Sequence, residues 1–207
     1  SGRKRFFVAA ALAYVFALGA KEHALLAPLC AVPVYVFVRR PPRKTVALFA
    51  AFGAAIALAA GSLFYMVYGR IIGTAFDEFS VAFLKQLDAL SPGVGRQAWP
   101  LSILNQMHLF TQYGLRWIFP SPEWMSIDLR PPFPLSMMSV PHVFGARGYG
   151  AILFGGLWLL LAKRDEKSLA GLSLLLPALL FGTEFAIVWV QDPFVLFLKD
   201  VREERIS

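Results

Sequence analysis

Twenty-five consecutive residues, Thr45 to Gly69, carry no charged side chain. As a helix they rise about 37 Å, enough to cross a hydrocarbon core about 30 Å thick with some tilt. The small residues Ala50, Ala51, Gly53, Ala54 and Ala55 within the run suit close packing of helices in lipid. The rest of the chain shares this character. Of its 207 residues 57% are hydrophobic and only 16% charged, with mean hydropathy +0.60. Soluble domains run to about 45–50% apolar and about 25% charged. Disorder, a coiled coil and a collagen-like repeat are ruled out, and a compact soluble enzyme is disfavoured. Fourteen Pro and sixteen Gly exceed what an ordinary helix bundle carries. Membrane helices with broken ends and looped connections tolerate them. One Cys excludes a disulfide framework and a thiolate metal site.

The net charge of +7 raises the question of nucleic acid, and the placement of the charges answers it. Half of the twenty Lys and Arg fall in three clusters: Arg3, Lys4, Arg5; then Arg39, Arg40, Arg43, Lys44; then Lys163, Arg164, Lys167. Apolar runs flank each one. Nucleic-acid binders spread their bases along one face; clusters between apolar runs mark cytoplasmic loops. The charge therefore reads as topology, with no nucleic-acid partner.

These rules predict an all-α polytopic membrane protein. It forms a single membrane domain, 1–207, with five spans at about 6–20, 24–38, 45–69, 148–162 and 168–191, the fourth joined by part of Leu135 to Ala146. The N terminus is cytoplasmic and the C terminus outside. Phe6 to Ala20 is fifteen residues, about 22 Å of helix and short for a span. Basic clusters at both ends of 3–44 still demand an inside–outside–inside hairpin, with Lys21, Glu22 and His23 at its outer tip. A signal peptide is disfavoured because no cleavage site with a polar mature sequence follows. The chain opens at Ser1 without a Met, and its odd number of spans and polar tail, Lys199 to Ser207, predict a piece of a larger protein.

The segment 70–147 differs. Six Lys/Arg stand against five Asp/Glu and no basic cluster appears, as expected outside the membrane. Phe76, Phe79, Phe83, Leu84 and Leu87 recur at helical spacing among Asp77, Glu78, Lys85 and Asp88, which predicts an amphipathic helix ended by Ser91-Pro92-Gly93. Ile103, Leu104, Met107, Phe110 and Leu115 predict a second. Trp99, Trp117 and Trp124 in the same stretch place both helices on the outer membrane surface. Pro120, Pro122, Pro131, Pro132 and Pro134 then impose an extended, turning loop.

Few residues carry chemistry. Lys21 and Glu22 are either a self-satisfying anchor pair or a cation that holds a lipid-linked phosphate beside a carboxylate that orients it or binds a sugar hydroxyl. Glu184, the one acid in an apolar run, is an interfacial carboxylate or a wall of the same outer cavity. Asp192, before Pro193, is a cap or a site acid. Gln106, His108, Tyr113 and Arg116 fall on the second surface helix. A lone His108 reads as a packed or solvated imidazole, and Arg116 as a phosphate or headgroup ligand. Asp128 and Arg130 pair with each other as readily as with a ligand. No spacing reads as a metal site, and neither a phosphate-binding glycine loop nor a nucleophile elbow is present. No cofactor is indicated.

Three segments, in this order, carry a resemblance: "ALGAKEHALLAPL" (Ala17 to Leu29), "NQMHLFTQYGLRWIFPSPEWMSID" (Asn105 to Asp128) and "VQDPFVLF" (Val190 to Phe197). Together they resemble bacterial integral-membrane glycosyltransferases of the GT-C class, nearest the protein O-mannosyltransferase-like and pilin-glycosylating enzymes. The resemblance implies an enzyme of the bacterial inner membrane that moves a sugar from a polyprenyl-phosphate donor to an extracytoplasmic protein acceptor. In that class the Lys-Glu pair closes the outer hairpin and a Gln/Tyr-rich helix lies on the outer surface; Lys21, Glu22, His23, Gln106, Tyr113, Arg116, Glu184 and Asp192 are the expected substrate-binding residues. The catalytic carboxylate of that class lies in a first outer loop, and no such loop precedes Lys21 here. Phe197-Leu198-Lys199-Asp200 also replaces the Tyr-Arg-x-Tyr-Leu stretch of the class. A transporter or lipid-flippase domain and a noncatalytic scaffold are the alternatives. Ionisable residues at the outer edge rather than the bilayer midplane favour the transferase over the transporter.

Overall fold

The computed structural model describes residues 2–20, 24, 26–68, 73–75, 78–90, 93–121, 131–162 and 166–188, and among these it contains helices and turns but no strand. In chain order the helices are α1 (Gly2–Ala20), α2 (Ala27–Arg39), α3 (Arg43–Tyr68), α4 (Glu78–Leu90), α5 (Ala98–Ile118), α6 (Val140–Ala162) and α7 (Glu166–Leu180). Short 3-10 turns follow α4, at Gly95–Gln97, and α7, at Phe181–Ala186.

Local chemistry sets the boundaries. A proline opens α2, where its missing N–H costs no hydrogen bond. α2 stops at Arg40, whose backbone is left-handed (φ 49°) and whose N–H donates to the Val36 carbonyl at 3.0 Å. Pro41-Pro42 cannot extend the helix. The Pro42 carbonyl accepts from the Thr45 and Val46 amides at 2.9 and 3.2 Å and so starts α3. At the end of α4, Asp88 Oδ1 accepts from the amides of Gly93 and Gly95, both at 3.2 Å. Gly93 takes φ 95°, which a side chain would resist.

The chain groups into two compact units. The first comprises residues 1–63 and 152–183. Its core is Val36 of α2 against Leu160 of α6 and Leu172 and Leu175 of α7. α6 and α7 meet at glycines: a Cβ on Gly171 would lie 2.7 Å from the Gly156 carbonyl oxygen. The Arg40 guanidinium donates to the Leu160 carbonyl at 3.1 Å and to Ser168 Oγ, and stands 5.1 Å from the Phe37 ring centroid. One cation thereby ties the end of α2 to the end of α6 and the start of α7.

The second unit comprises residues 64–151 and 184–207. Phe83, Leu87, Ala98, Leu101, Phe133 and Val188 form its core. The proline-rich segment contributes to it: Pro131, Phe133 and Pro134 are buried, and the Phe133 ring meets Phe83 edge-on at 5.7 Å. Two backbone bonds anchor the end of the second 3-10 turn and Val188 just after it: Gly73 N–H to Ala186 O at 2.8 Å and Val188 N–H to Thr74 O at 3.0 Å.

Among the described residues, two helical stretches are long and apolar enough to cross a membrane: Val140–Ala162, with mean hydropathy 1.4, and Glu166–Ala186, with 1.7. Only 22% of each window is buried, where the core helix of a soluble protein would be mostly covered. Phe154 and Trp158 on α6 are 69% and 59% exposed. Contiguous apolar surface of this kind calls for lipid or a protein partner. α2, at 13 residues, is a shorter apolar helix. α6 starts at Val140, so part of the stretch Leu135 to Ala146 does join the expected 148–162, and Pro141 is harmless in its first turn. α7 gives way to a 3-10 turn after Leu180, three residues beyond Pro177; residues 189–191 of the expected last span lie outside the described residues.

Candidate functional site

The polar centre of the second unit is α5. Its 21 residues present an alternation in which Leu101, Leu104 and Leu109 are buried together with Ser102, Asn105, Gln106 and His108. A helix lying on an interface buries only its apolar stripe. α5 instead buries polar groups on the face formed by Asn105, His108 and Gln112, spaced three and four apart.

That face meets the first turns of α6 at closer range than side chains allow. A Cβ on Gly145 would lie 2.4 Å from His108 Cα, and one on Gly148 would lie 2.6 Å from Thr111 Cγ2. Thr111 Oγ1 uses the proximity: it donates to the Gly145 carbonyl at 2.7 Å, with the Met107 carbonyl of its own helix 3.1 Å away. Small residues thus bring two backbones together and place His142, one turn before Gly145, beside His108. The two imidazoles stand 4.7 Å apart, tilted by 49°.

Each ring is held on one nitrogen. Gln112 Nε2 lies 2.8 Å from His108 Nε2, and Ser139 Oγ lies 2.8 Å from His142 Nδ1. With the Gln112 amide donating, the His108 proton sits on Nδ1. The remaining atoms, His108 Nδ1, His142 Nε2 and both amide atoms of Asn105, are buried with no partner in hydrogen-bonding geometry. Asn105 is 1% exposed, His142 4% and His108 9%. The carbonyls of Pro141 and Pro132 face His108 and His142 without the geometry of a bond. Burial, and next the neighbouring His142, push the His108 ring below its usual value of 6.5, and the Pro141 carbonyl opposes them weakly. Four unpaired polar atoms in one buried cluster are costly, about 1–3 kcal/mol each. Native structures keep such groups where a function or a bound molecule uses them. Two imidazoles and an amide can bind hydroxyls or water, and a neutral ring can pass on a proton.

A row of aromatic rings links α5, α6 and the second 3-10 turn. Phe110 meets Tyr149 edge-on at 5.2 Å, Tyr149 meets Phe185 at 5.5 Å, and Trp99 Nε1 donates to the Phe185 carbonyl at 2.8 Å.

Of the residues singled out in the sequence, Lys21, Glu22, His23 and Asp192 lie outside the described residues. Gln106 is buried in α5, within the same half of the helix as Asn105 and His108. Tyr113 and Arg116 are half-buried on its last turns, and Glu184 is half-buried in the second 3-10 turn; each of these three engages a neighbour. Tyr113 follows Gln106 by seven positions and so shares its line on α5, while Arg116 continues the line of Asn105, eleven positions on. The sequence reading passed over Asn105, Gln112, Ser139 and His142. Among the described residues no three His, Cys, Asp or Glu side chains converge as a metal site would need. No protein-family profile, no curated protein and no solved structure matches this chain.

Proposed function

We propose that this protein is a membrane glycosyltransferase of the GT-C class. It moves a sugar from a polyprenyl-phosphate donor to an extracytoplasmic protein acceptor and sits in a bacterial inner membrane with five spans and a cytoplasmic N terminus. The observation that carries the proposal is the polar face of α5 formed by Asn105, His108 and Gln112, with Gln106 buried elsewhere on the same helix: all four fall inside the segment Asn105 to Asp128 on which the resemblance rests. A sugar is a cluster of hydroxyls, and imidazoles and amides are the neutral groups that read hydroxyls as both donors and acceptors. The five spans are supported by the exposed apolar surfaces of α6 and α7 and by α3, whose 26 residues rise about 39 Å. Cysteine labelling from outside intact cells tests the topology; labelling at positions 43 or 167 would overturn it.

In this reading Lys21 holds the donor phosphate and Glu22 orients it, with His23, Gln106, Tyr113, Arg116, Glu184 and Asp192 completing the substrate surface. Lys21→Ala removes a charge-assisted contact of roughly 1.5–3 kcal/mol and should weaken binding of a polyprenyl-phosphate sugar in nanodiscs by about 10- to 150-fold. Lys21→Arg should keep part of the affinity, because charge survives while geometry changes. Unchanged binding by Lys21→Ala would remove the hairpin tip from the site and leave Arg116 as the phosphate ligand.

A further inference from the structure

In the first unit, Ala31, Val34 and Val38 form one stripe of α2, and Leu176 and Leu180 of α7 wall its other side. Between them runs an open groove of about 690 Å³, inside the range of roughly 300–1,000 Å³ occupied by small-molecule sites. The lining is hydrocarbon apart from the Cys30 thiol, the Tyr35 phenol and, at one end, Arg39. Tyr35 is fixed by Phe49 of α3, ring to ring at 5.4 Å and edge-on. The lined stretch of α2, from Ala27 to Arg39, rises about 18 Å. That is close to half of a core about 30 Å thick, the depth of one leaflet. Arg39 is exposed, and so are Arg43 and Lys44 at the start of α3, a few residues along the chain.

A trough one leaflet deep, apolar along its length and cationic at its mouth, matches one class of molecule. We propose that it holds an acyl chain of an anionic phospholipid, with the lipid phosphate on Arg39 and its neighbours Arg43 and Lys44. A zwitterionic lipid offers the same hydrocarbon but no net charge for the cations. The proposal rests on the membrane reading and stands apart from the transferase reading, whose donor phosphate is assigned to Lys21 at the other end of the hairpin.

Native mass spectrometry of the full chain in detergent, titrated with phosphatidylglycerol and with phosphatidylcholine, tests it. Phosphatidylglycerol should bind at least about five-fold more tightly, and Arg39→Gln should lower that preference about five-fold, one surface cation being worth that factor near an anionic headgroup. Cys30 is the only thiol in the chain, so alkylation with a bulky maleimide fills the groove without a mutation and should abolish binding of both lipids there. Equal affinity of the untreated protein for the two lipids overturns the proposal. So does a preference that Arg39→Gln leaves undiminished, or lipid binding in the groove that survives Cys30 alkylation, in protein that stays monodisperse. A polyprenyl phosphate that outcompetes phosphatidylglycerol would also overturn it by naming a different occupant. Loss of sugar-donor binding in Lys21→Ala leaves these outcomes unaffected.

Discussion

The two units solve the burial of a helix contact in opposite ways. In the first, α6 meets α7 at Gly156 and Gly171 with leucines on either side, and the polar groups at the contact's end are satisfied by one arginine. In the second, α5 meets α6 at Gly145 and Gly148 with equal intimacy, but the space beside the glycines is given to Asn105, His108 and His142, four of whose polar atoms have no partner. The same device, a glycine pair that admits a neighbouring backbone, therefore produces a quiet joint in one place and a strained, chemically equipped one in the other. The first unit is built to hold; the second sacrifices some stability to keep neutral hydrogen-bonding groups out of water.

The largest expected effect comes from closing the second joint. Gly145→Val puts a branched side chain where even a Cβ lies 2.4 Å from the backbone of His108. Overpacking of this order costs typically 1–3 kcal/mol and more when backbone is the obstacle, so thermal unfolding in detergent should show the second unit melting early. Gly155→Ala, where nothing lies within 4 Å of the new Cβ, is the control and should be neutral or slightly stabilising.

Next is the clasp of the first unit. Arg40→Ala removes the bonds to the Leu160 carbonyl and Ser168 together with a ring contact; with a charged bond worth about 1.5–3 kcal/mol and the guanidinium only half-buried, a loss of about 1–3 kcal/mol and a lower melting temperature are expected. A variant that melts like the parent would show that the glycine crossing alone holds this unit.

Asn105→Leu sharpens the contrast from the other side. It removes two unpaired buried atoms, so it should stabilise the protein by about 1–3 kcal/mol while weakening binding of a lipid-linked sugar. Stabilisation with full binding would reduce the cluster to a packing defect.

The smallest effect is a pH dependence. Because the folded His108 ring binds a proton less readily than an unfolded one, its contribution is complete above about pH 6.5 and is lost as the pH falls below it. The melting temperature should therefore drop between about pH 7.5 and about pH 5.5, and His108→Gln should flatten that slope. A slope unchanged in the variant would place the titrating group elsewhere.

Much of the helix plan is legible in the sequence because long uncharged runs bounded by Arg, Lys and Pro leave the backbone few options. α2, α3 and α6 end where basic residues, prolines or polar turns begin, and α4 occupies the stretch its phenylalanines mark out. The early start of α6 is less legible, since Pro141, His142 and Arg147 break the apolar pattern without breaking the helix. The buried cluster is least legible of all. His108 and His142 stand 34 positions apart in no shared motif, and only the approach of two backbones at Gly145 makes them neighbours. A glycine in a membrane-like helix signals closeness without naming its partner. The i, i+4 pair His108 and Gln112 and the i, i+3 pair Ser139 and His142 were the available hints.

The Arg40 clasp has a consequence for how the molecule is made. Two of its partners, Leu160 and Ser168, are synthesised 120 and 128 residues later. At about 5–20 residues per second, the guanidinium waits on the order of 6–25 s before either exists. During that interval the turn between α2 and α3 lacks its later ligands. The first unit can close only when α6 and α7 have emerged, and a chain that stops before Leu160 never acquires the clasp.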